Sequence, residues 1–186
     1  SLWLYLLTPF SLLFTYLTNL RRRRFIKNKT LSYKPDVPLI IVGNLTIGGT
    51  GKTPLVAYIA QELCKLGYKP GLVSRGYGGK FRETLQVTDE TPVKKTGDEA
   101  QILAKLNLPF YIDKNRVRAV KTLVDNHDCD VIISDDGLQH YNMGRDIEIV
   151  LIDGKRRFGN NLTFPAGPLR ESTTRLKDVD FIVNNS

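Results

Sequence analysis

The sequence predicts a three-layer α/β fold with a mostly parallel sheet, preceded by an N-terminal membrane-associated helix. Three observations carry that expectation. Short β-branched runs alternate with segments of helical period along most of the 186 residues, the pattern of parallel strands joined by crossover helices. One run, Leu39 to Val42, leads through Gly48-Gly49-Thr50-Gly51-Lys52-Thr53 into a periodic apolar segment, which reads as strand, phosphate loop and helix. Residues 2–20 hold no charge and are closed by Arg21 to Arg24. The expected division is a helix and basic anchor over 1–29 and a P-loop NTPase-like nucleotide-binding core over 30–186.

The net charge of +8 is concentrated in one place. Residues 1–34 carry seven basic and no acidic side chains, whereas the rest holds 20 basic and 19 acidic ones. That balance argues against a nucleic-acid-binding face on the core. A basic cluster beside an apolar segment suits anionic lipid headgroups instead. Within residues 2–20, Thr8, Ser11, Thr15 and Thr18 fall on one helical stripe, which favours a helix lying in the interface over a full span. Trp3, Tyr5 and Tyr16 suit the headgroup level, and the arginines place the following chain on the cytoplasmic side. A cleaved signal peptide would carry its charges before the apolar part, not after it. Cys64 and Cys129 show no metal-ligand spacing and are expected to be buried thiols.

The elements follow in order. Pro35 and Pro38 mark a linker into the first strand. After the phosphate loop, Leu55, Ile59, Leu63 and Leu66 define the expected buried face of a helix ending at Gly67. Strands are expected at 70–74, 85–88, 110–112, 131–135, 147–152 and 181–183. Helices are expected entering at 96–99 and running through Leu106, and over 114–126 with Val117, Val120 and Val124 inward.

The chemistry sits at strand ends. Gly48, Gly49 and Gly51 let backbone N–H groups wrap phosphate oxygens, Lys52 reaches the β/γ-phosphates, and the Thr53 hydroxyl suits Mg²⁺. The nucleotide-binding stretch is Thr46, Ile47, Gly48, Gly49, Thr50, Gly51, Lys52 and Thr53, although Thr46 stands where the common loop has glycine. The strand ending in Asp135 and Asp136 has the Walker-B form, and either carboxylate can be the direct metal ligand. Asp98, after Gly97 and at a helix start, is either a general base or a helix cap. Arg75, just past a strand end, suits bidentate phosphate binding or marks a turn. Glu99 and His140 are further site candidates; His140 can orient a carboxylate, contact substrate, or make a structural hydrogen bond.

Taken together, the runs Gly43-Asn44-Leu45-Thr46 through Pro54, Ser74-Arg75-Gly76-Tyr77-Gly78, Gly97-Asp98-Glu99, Asp135-Asp136-Gly137-Leu138-Gln139-His140 and Pro165-Ala166-Gly167-Pro168-Leu169-Arg170-Glu171 resemble the tetraacyldisaccharide 4'-kinases, the lipid A 4'-kinases of Gram-negative bacteria. The resemblance implies transfer of the ATP γ-phosphate to the 4'-hydroxyl of a lipid-linked glucosamine disaccharide, with ATP and Mg²⁺, at the cytoplasmic face of the inner membrane. It implies Asp98 as base and Arg75 in the active site, accepts Thr46 in the phosphate loop, and gives no role to Arg170 or Glu171. The implied partners are the lipid A disaccharide precursor and anionic inner-membrane lipids. Nucleic acid is not among them, and a monomer is expected. Family chains are longer, with a second lobe that closes over the nucleotide; this chain is expected to be the N-terminal part and to turn over slowly by itself. The rival reading is a membrane-targeted partition-type P-loop ATPase, although Ile47 stands where such loops carry a signature lysine. A second rival is a membrane-interaction module with a vestigial loop, against which the full set of Lys52, Thr53, Asp135 and Asp136 speaks.

Overall fold

A computed structural model describes residues 2–185. The helix α1 spans Leu2–Lys27. The core then runs β1 (Leu39–Gly43), α2 (Lys52–Lys65), β2 (Pro70–Ser74), β3 (Leu85–Gln86), α3 (Val93–Thr96), α4 (Asp98–Ala104), β4 (Phe110–Ile112), α5 (Arg116–Asn126), β5 (Val131–Asp135), β6 (Ile147–Asp153) and β7 (Phe181–Asn185). Seven strands form one sheet in the order β3-β4-β2-β5-β1-β6-β7. Every pairing is parallel except that of the short edge strand β3 with β4. The alternation of side chains along β1 feeds two cores. Ile40 and Val42 pack with Val56 and Ala60 of α2 and Leu103 of α4. Leu39 and Ile41 pack on the other face with Ala119, Val120 and Leu123 of α5. The central strands are therefore covered on both sides, as parallel strands require, while Phe181 and Ile182 of the edge strand β7 stay exposed.

The register of α2 differs from the sequence expectation. Val56 and Ala60 are fully buried, Leu55, Ile59 and Leu63 are half-buried, and Leu66 is 74 % exposed. Putting small residues against the sheet lets the helix approach closely while the leucines wrap its flanks. The same rotation leaves Cys64 exposed, and only Cys129 is buried as expected. On α5, the Arg118 guanidinium grips both carboxylate oxygens of Asp113, at 2.6 and 3.0 Å.

Helix α1 docks on the core through its polar stripe. Ser11 is 2 % exposed and donates to the Thr163 carbonyl at 2.7 Å. Thr15 and Thr163 share a hydroxyl contact of 2.8 Å. Phe14 meets Phe164 edge to face, Phe25 stacks on Tyr141, and Arg22 pairs with Asp178 at 2.6 Å. The apolar side faces outward, with Trp3 73 % exposed and Tyr5, Phe10, Leu12, Leu13 and Tyr16 beside it. Among the described residues, no helix is long and apolar enough to cross a membrane.

Candidate active site

The phosphate loop, Arg75 and the aspartate pair follow the carboxyl ends of β1, β2 and β5, where an open parallel sheet offers a crevice. The phosphate loop has two halves. In its first half, Thr46 forms an antiparallel bridge with Leu169, the Ile47 N–H donates to the Pro168 carbonyl at 2.7 Å, and the Arg170 N–H donates to the Leu45 carbonyl at 2.6 Å. Extended backbone here needs no glycine, which is why threonine is accommodated. In the second half, Gly48 and Gly51 have φ of 109° and 86°, conformations that favour glycine. The Asn185 side chain donates to the Thr50 carbonyl at 3.0 Å and braces this half from β7. Helix α2 then opens with Lys52 and Thr53 buried.

Strand β5 brings its aspartates to these two residues. The Thr53 hydroxyl donates to Asp135 Oδ2 at 3.2 Å. Lys52 Nζ lies 3.5 Å from Asp136 Oδ1. Arg170 Nη1 contacts both Asp136 oxygens, at 3.0 and 3.1 Å. Asp136 has a left-handed φ of 51°, a conformation that aspartate tolerates better than most residues. Its Gly137 neighbour has no room for a side chain, since a Cβ would lie 2.6 Å from Ser134 Oγ. Behind the pair lies Arg116, 0 % exposed, donating to the carbonyls of Asp113 at 2.6 Å and Asp135 at 3.4 Å.

The electrostatics separate the two aspartates. Burial, and then the Asp136 charge, push the Asp135 carboxyl up to about 6. Burial also opposes the charge of Asp136, but Lys52 and Arg170 outweigh it and hold that carboxyl below its ordinary range. Asp135 Oδ1 is buried with no hydrogen-bond partner. A buried carboxylate oxygen without a partner, next to a threonine hydroxyl and a second carboxylate, is a donor set that fits Mg²⁺, an ion that takes few protein ligands. Among the described residues no cluster of three or more His, Cys, Asp or Glu side chains competes for a metal.

Beside this centre lies a cleft of about 560 Å³. Its walls include Phe14, Thr18 and Arg21 of α1 together with Ile47, Arg75, Asp136, His140 and Arg170. Burial, and then the Arg116 and Arg75 cations, push His140 down to about 4, so its ring is neutral near pH 7. Asp98 and Glu99 are exposed at the start of α4 and are not among the residues lining the cleft. The N-cap position belongs to Gly97, so the cap alternative for Asp98 is not the one realised. The corner itself is fixed by backbone contact: a Cβ on Gly97 would lie 1.9 Å from the Tyr77 carbonyl oxygen, and one on Gly79 would lie 2.4 Å from that of Lys95. The Arg75-to-Gly79 loop and the Gly97-Asp98 corner are thereby locked together. Arg116, Gln139 and Asn185 are constituents that the sequence reading did not single out. Only Gln139, inside the Asp135-to-His140 run, carried a signal there.

A profile described as tetraacyldisaccharide-1-P 4'-kinase, LpxK, matches residues 3–186. The chain belongs to this kinase family. The tetraacyldisaccharide 4'-kinases of Psychromonas ingrahamii and Methylobacillus flagellatus are 49 % and 50 % identical to it, each over 185 residues and 98 % of the chain. These alignments cover 58 % and 55 % of the relatives, so the chain spans little more than half of their length. LpxK from Aquifex aeolicus, solved in complex with ATP, superposes with a TM-score of 0.87 at 32 % identity, covering 98 % of this chain and 58 % of that one. The signal recognition particle 54 kDa protein of Aeropyrum pernix, bound to GDP, shares the fold alone, with a TM-score of 0.51 at 12 % identity. The LpxK profile runs from α1 to the end of the described chain, so the helix and the core belong to the same family unit.

Proposed function

We propose that this chain carries the nucleotide site and catalytic base of a tetraacyldisaccharide 4'-kinase, which moves the γ-phosphate of ATP to the 4'-hydroxyl of a lipid A disaccharide precursor. The observation that carries the reading is the convergence of Lys52, Thr53, Asp135, Asp136 and Arg170 at the mouth of a cleft walled on one side by an apolar-faced helix. Family membership sets the partition-type ATPase aside.

In this reading Gly48 to Thr53 cradle the phosphates, with Lys52 on the β/γ oxygens. Thr53, Asp135 and Asp136 hold Mg²⁺, which when bound neutralises charge on those oxygens. Arg75 and Arg170 orient phosphate oxygens from the cleft side. Asp98 accepts the proton of the 4'-hydroxyl as its oxygen bonds to the γ-phosphorus, and ADP carries away the electron pair of the broken P–O bond. Neutral His140 contacts the sugar or its phosphate, and the Glu99 charge, which opposes ionisation of Asp135, adds to the attraction for a cation there. Residues 1–29 sit in the cytoplasmic face of the inner membrane. The outward apolar face of α1 enters the lipid, Arg23 and Arg24 meet anionic headgroups, and the core works as a monomer above it.

The test uses the full-length protein in mixed micelles with γ-labelled ATP, Mg²⁺ and the lipid disaccharide. Label should appear in the lipid and be lost by at least ~10²-fold in Asp98→Ala, with ATP binding kept. Label released only as free phosphate would refute lipid transfer, and equal loss of binding and transfer would refute Asp98 as base.

A further inference from the structure

A second pocket, of about 490 Å³, opens beyond the catalytic cleft along α1, on the other side of Tyr141. Its walls come from the last turns of α1, the 3-10 turn at Lys29–Leu31, Ser32 to Lys34, and the start of β6. Five cations line it and only two carboxylates, Glu148 and Asp178. Two of the cations are built into the wall: Arg145 and Arg175 both hold Glu148. Arg175 is 3 % exposed, and its Nε makes no hydrogen bond but lies 3.7 Å from the Glu171 carboxylate. The other three stand at the rim. Arg22 and Lys34 are each held by one carboxylate, Asp178 and Asp146, and Lys29 is exposed. The remaining lining combines the apolar Phe25 ring, Ile26 and Met143 with Ser32, Tyr141 and Gly144. Ile26 is exposed at the edge of the pocket.

We propose that this pocket binds the phosphate headgroup of an anionic phospholipid that is not the substrate of the reaction. The excess of cations selects an anion. The Phe25, Ile26 and Met143 side chains in the lining select one that carries a hydrocarbon tail. Lone surface ion pairs such as Lys34–Asp146 contribute little and yield easily to a phosphate. The bound headgroup would tie the last turns of α1 to Tyr141, whose neighbour His140 lines the catalytic cleft. The proposal rests on the membrane placement of α1 given above.

The experiment is native mass spectrometry of the full-length protein extracted from vesicles of phosphatidylglycerol and phosphatidylcholine, with vesicle sedimentation alongside. Wild type should retain a single phosphatidylglycerol in preference to phosphatidylcholine. Lys29→Ala with Lys34→Ala should weaken retention roughly thirtyfold, from two cations near a lipid surface, and Lys29→Arg with Lys34→Arg should restore it. Equal retention of both lipids, or unchanged retention in the alanine variant, would overturn the pocket while sedimentation stays intact. Displacement by free glycerol phosphate at equal concentration would overturn the lipid as its source. Failure of the wild type to sediment with vesicles would overturn the membrane reading and the pocket together.

Discussion

Replacing Gly97 with alanine should break the site without touching a charged group. Gly97 has φ 84° and ψ 161°, a region that is essentially reserved for glycine and costs another residue about 1–3 kcal/mol. The new methyl would also start 1.9 Å from the Tyr77 carbonyl oxygen and 3.0 Å from the Tyr77 carbonyl carbon, well inside the 3.4 Å at which ordinary contact begins. Both neighbours are backbone, so no side chain can swing away. Gly67 supplies the control. Its φ of 89° is equally positive, but a Cβ there meets nothing within 4 Å. Gly67→Ala should therefore cost about 1 kcal/mol from backbone strain alone. Gly97→Ala should cost at least ~3 kcal/mol, since the strain adds to overpacking that is worth about 1–3 kcal/mol elsewhere. If the fold survives by moving the corner, Asp98 moves with it, and a displacement of about 1 Å is worth roughly 10²-fold in turnover. Urea denaturation followed by circular dichroism, with kcat for lipid phosphorylation on the full-length protein, measures both. Equal costs for the two alanines, with kcat within about twofold of wild type, would refute the backbone-lock argument.

Three further outcomes follow from the geometry. His140, pushed down to about 4 in the folded chain against about 6.5 unfolded, binds a proton more readily when unfolded. Its contribution is thus complete above about pH 6.5 and lost as the pH falls toward 4, by up to ~3 kcal/mol. His140→Gln should flatten that slope, and an NMR titration of its ring near pH 6.5 would overturn the assignment. Asn185→Ala removes the brace on the Thr50 carbonyl and should raise KM for ATP about tenfold, the worth of one hydrogen bond, leaving KM for lipid unchanged; an unaltered ATP KM would show the brace to be idle. Ser11→Ala removes one of the two donors to the buried Thr163 carbonyl, which keeps the Gly167 N–H, at a cost of about 0.5–1.5 kcal/mol. It should speed tryptic cleavage within Arg21 to Arg24 in detergent, and unchanged cleavage would mean that α1 is held by other contacts.

The strands were legible because buried parallel strands write themselves as β-branched runs, and β1 and β5 emerged where Leu39 to Val42 and Val131 to Asp135 placed them. The phosphate loop and the aspartate pair were legible because their chemistry is local in sequence. What escaped is what depends on distant pairing. The leucines of α2 mark a periodic face, but only the sheet decides that Val56 and Ala60 go innermost. Arg116 reads as one more base on a basic helix until Asp113 and Asp135 supply the carbonyls that let it be buried. Arg170 lies 34 residues beyond Asp136, and its grip on that carboxylate exists only once the 165–171 run has folded back. The polar stripe of α1 was legible as a stripe, but its direction was not. Its Ser11 and Thr15 hydroxyls face Thr163, where an interfacial helix read from sequence would have turned them to water.

The bridge at Thr46 has a mechanical consequence. Ser11 holds Thr163, Thr163 and Phe164 pair with Leu169, and Leu169 pairs with Thr46. The outermost helix and the first half of the phosphate loop are thus successive rungs of one short ladder, with no slack segment between them. A tilt or a rise of α1 is transmitted toward Thr46 and reaches Arg170, the next residue after Leu169. Whatever bears on that helix from outside has a lever on the loop through Thr46.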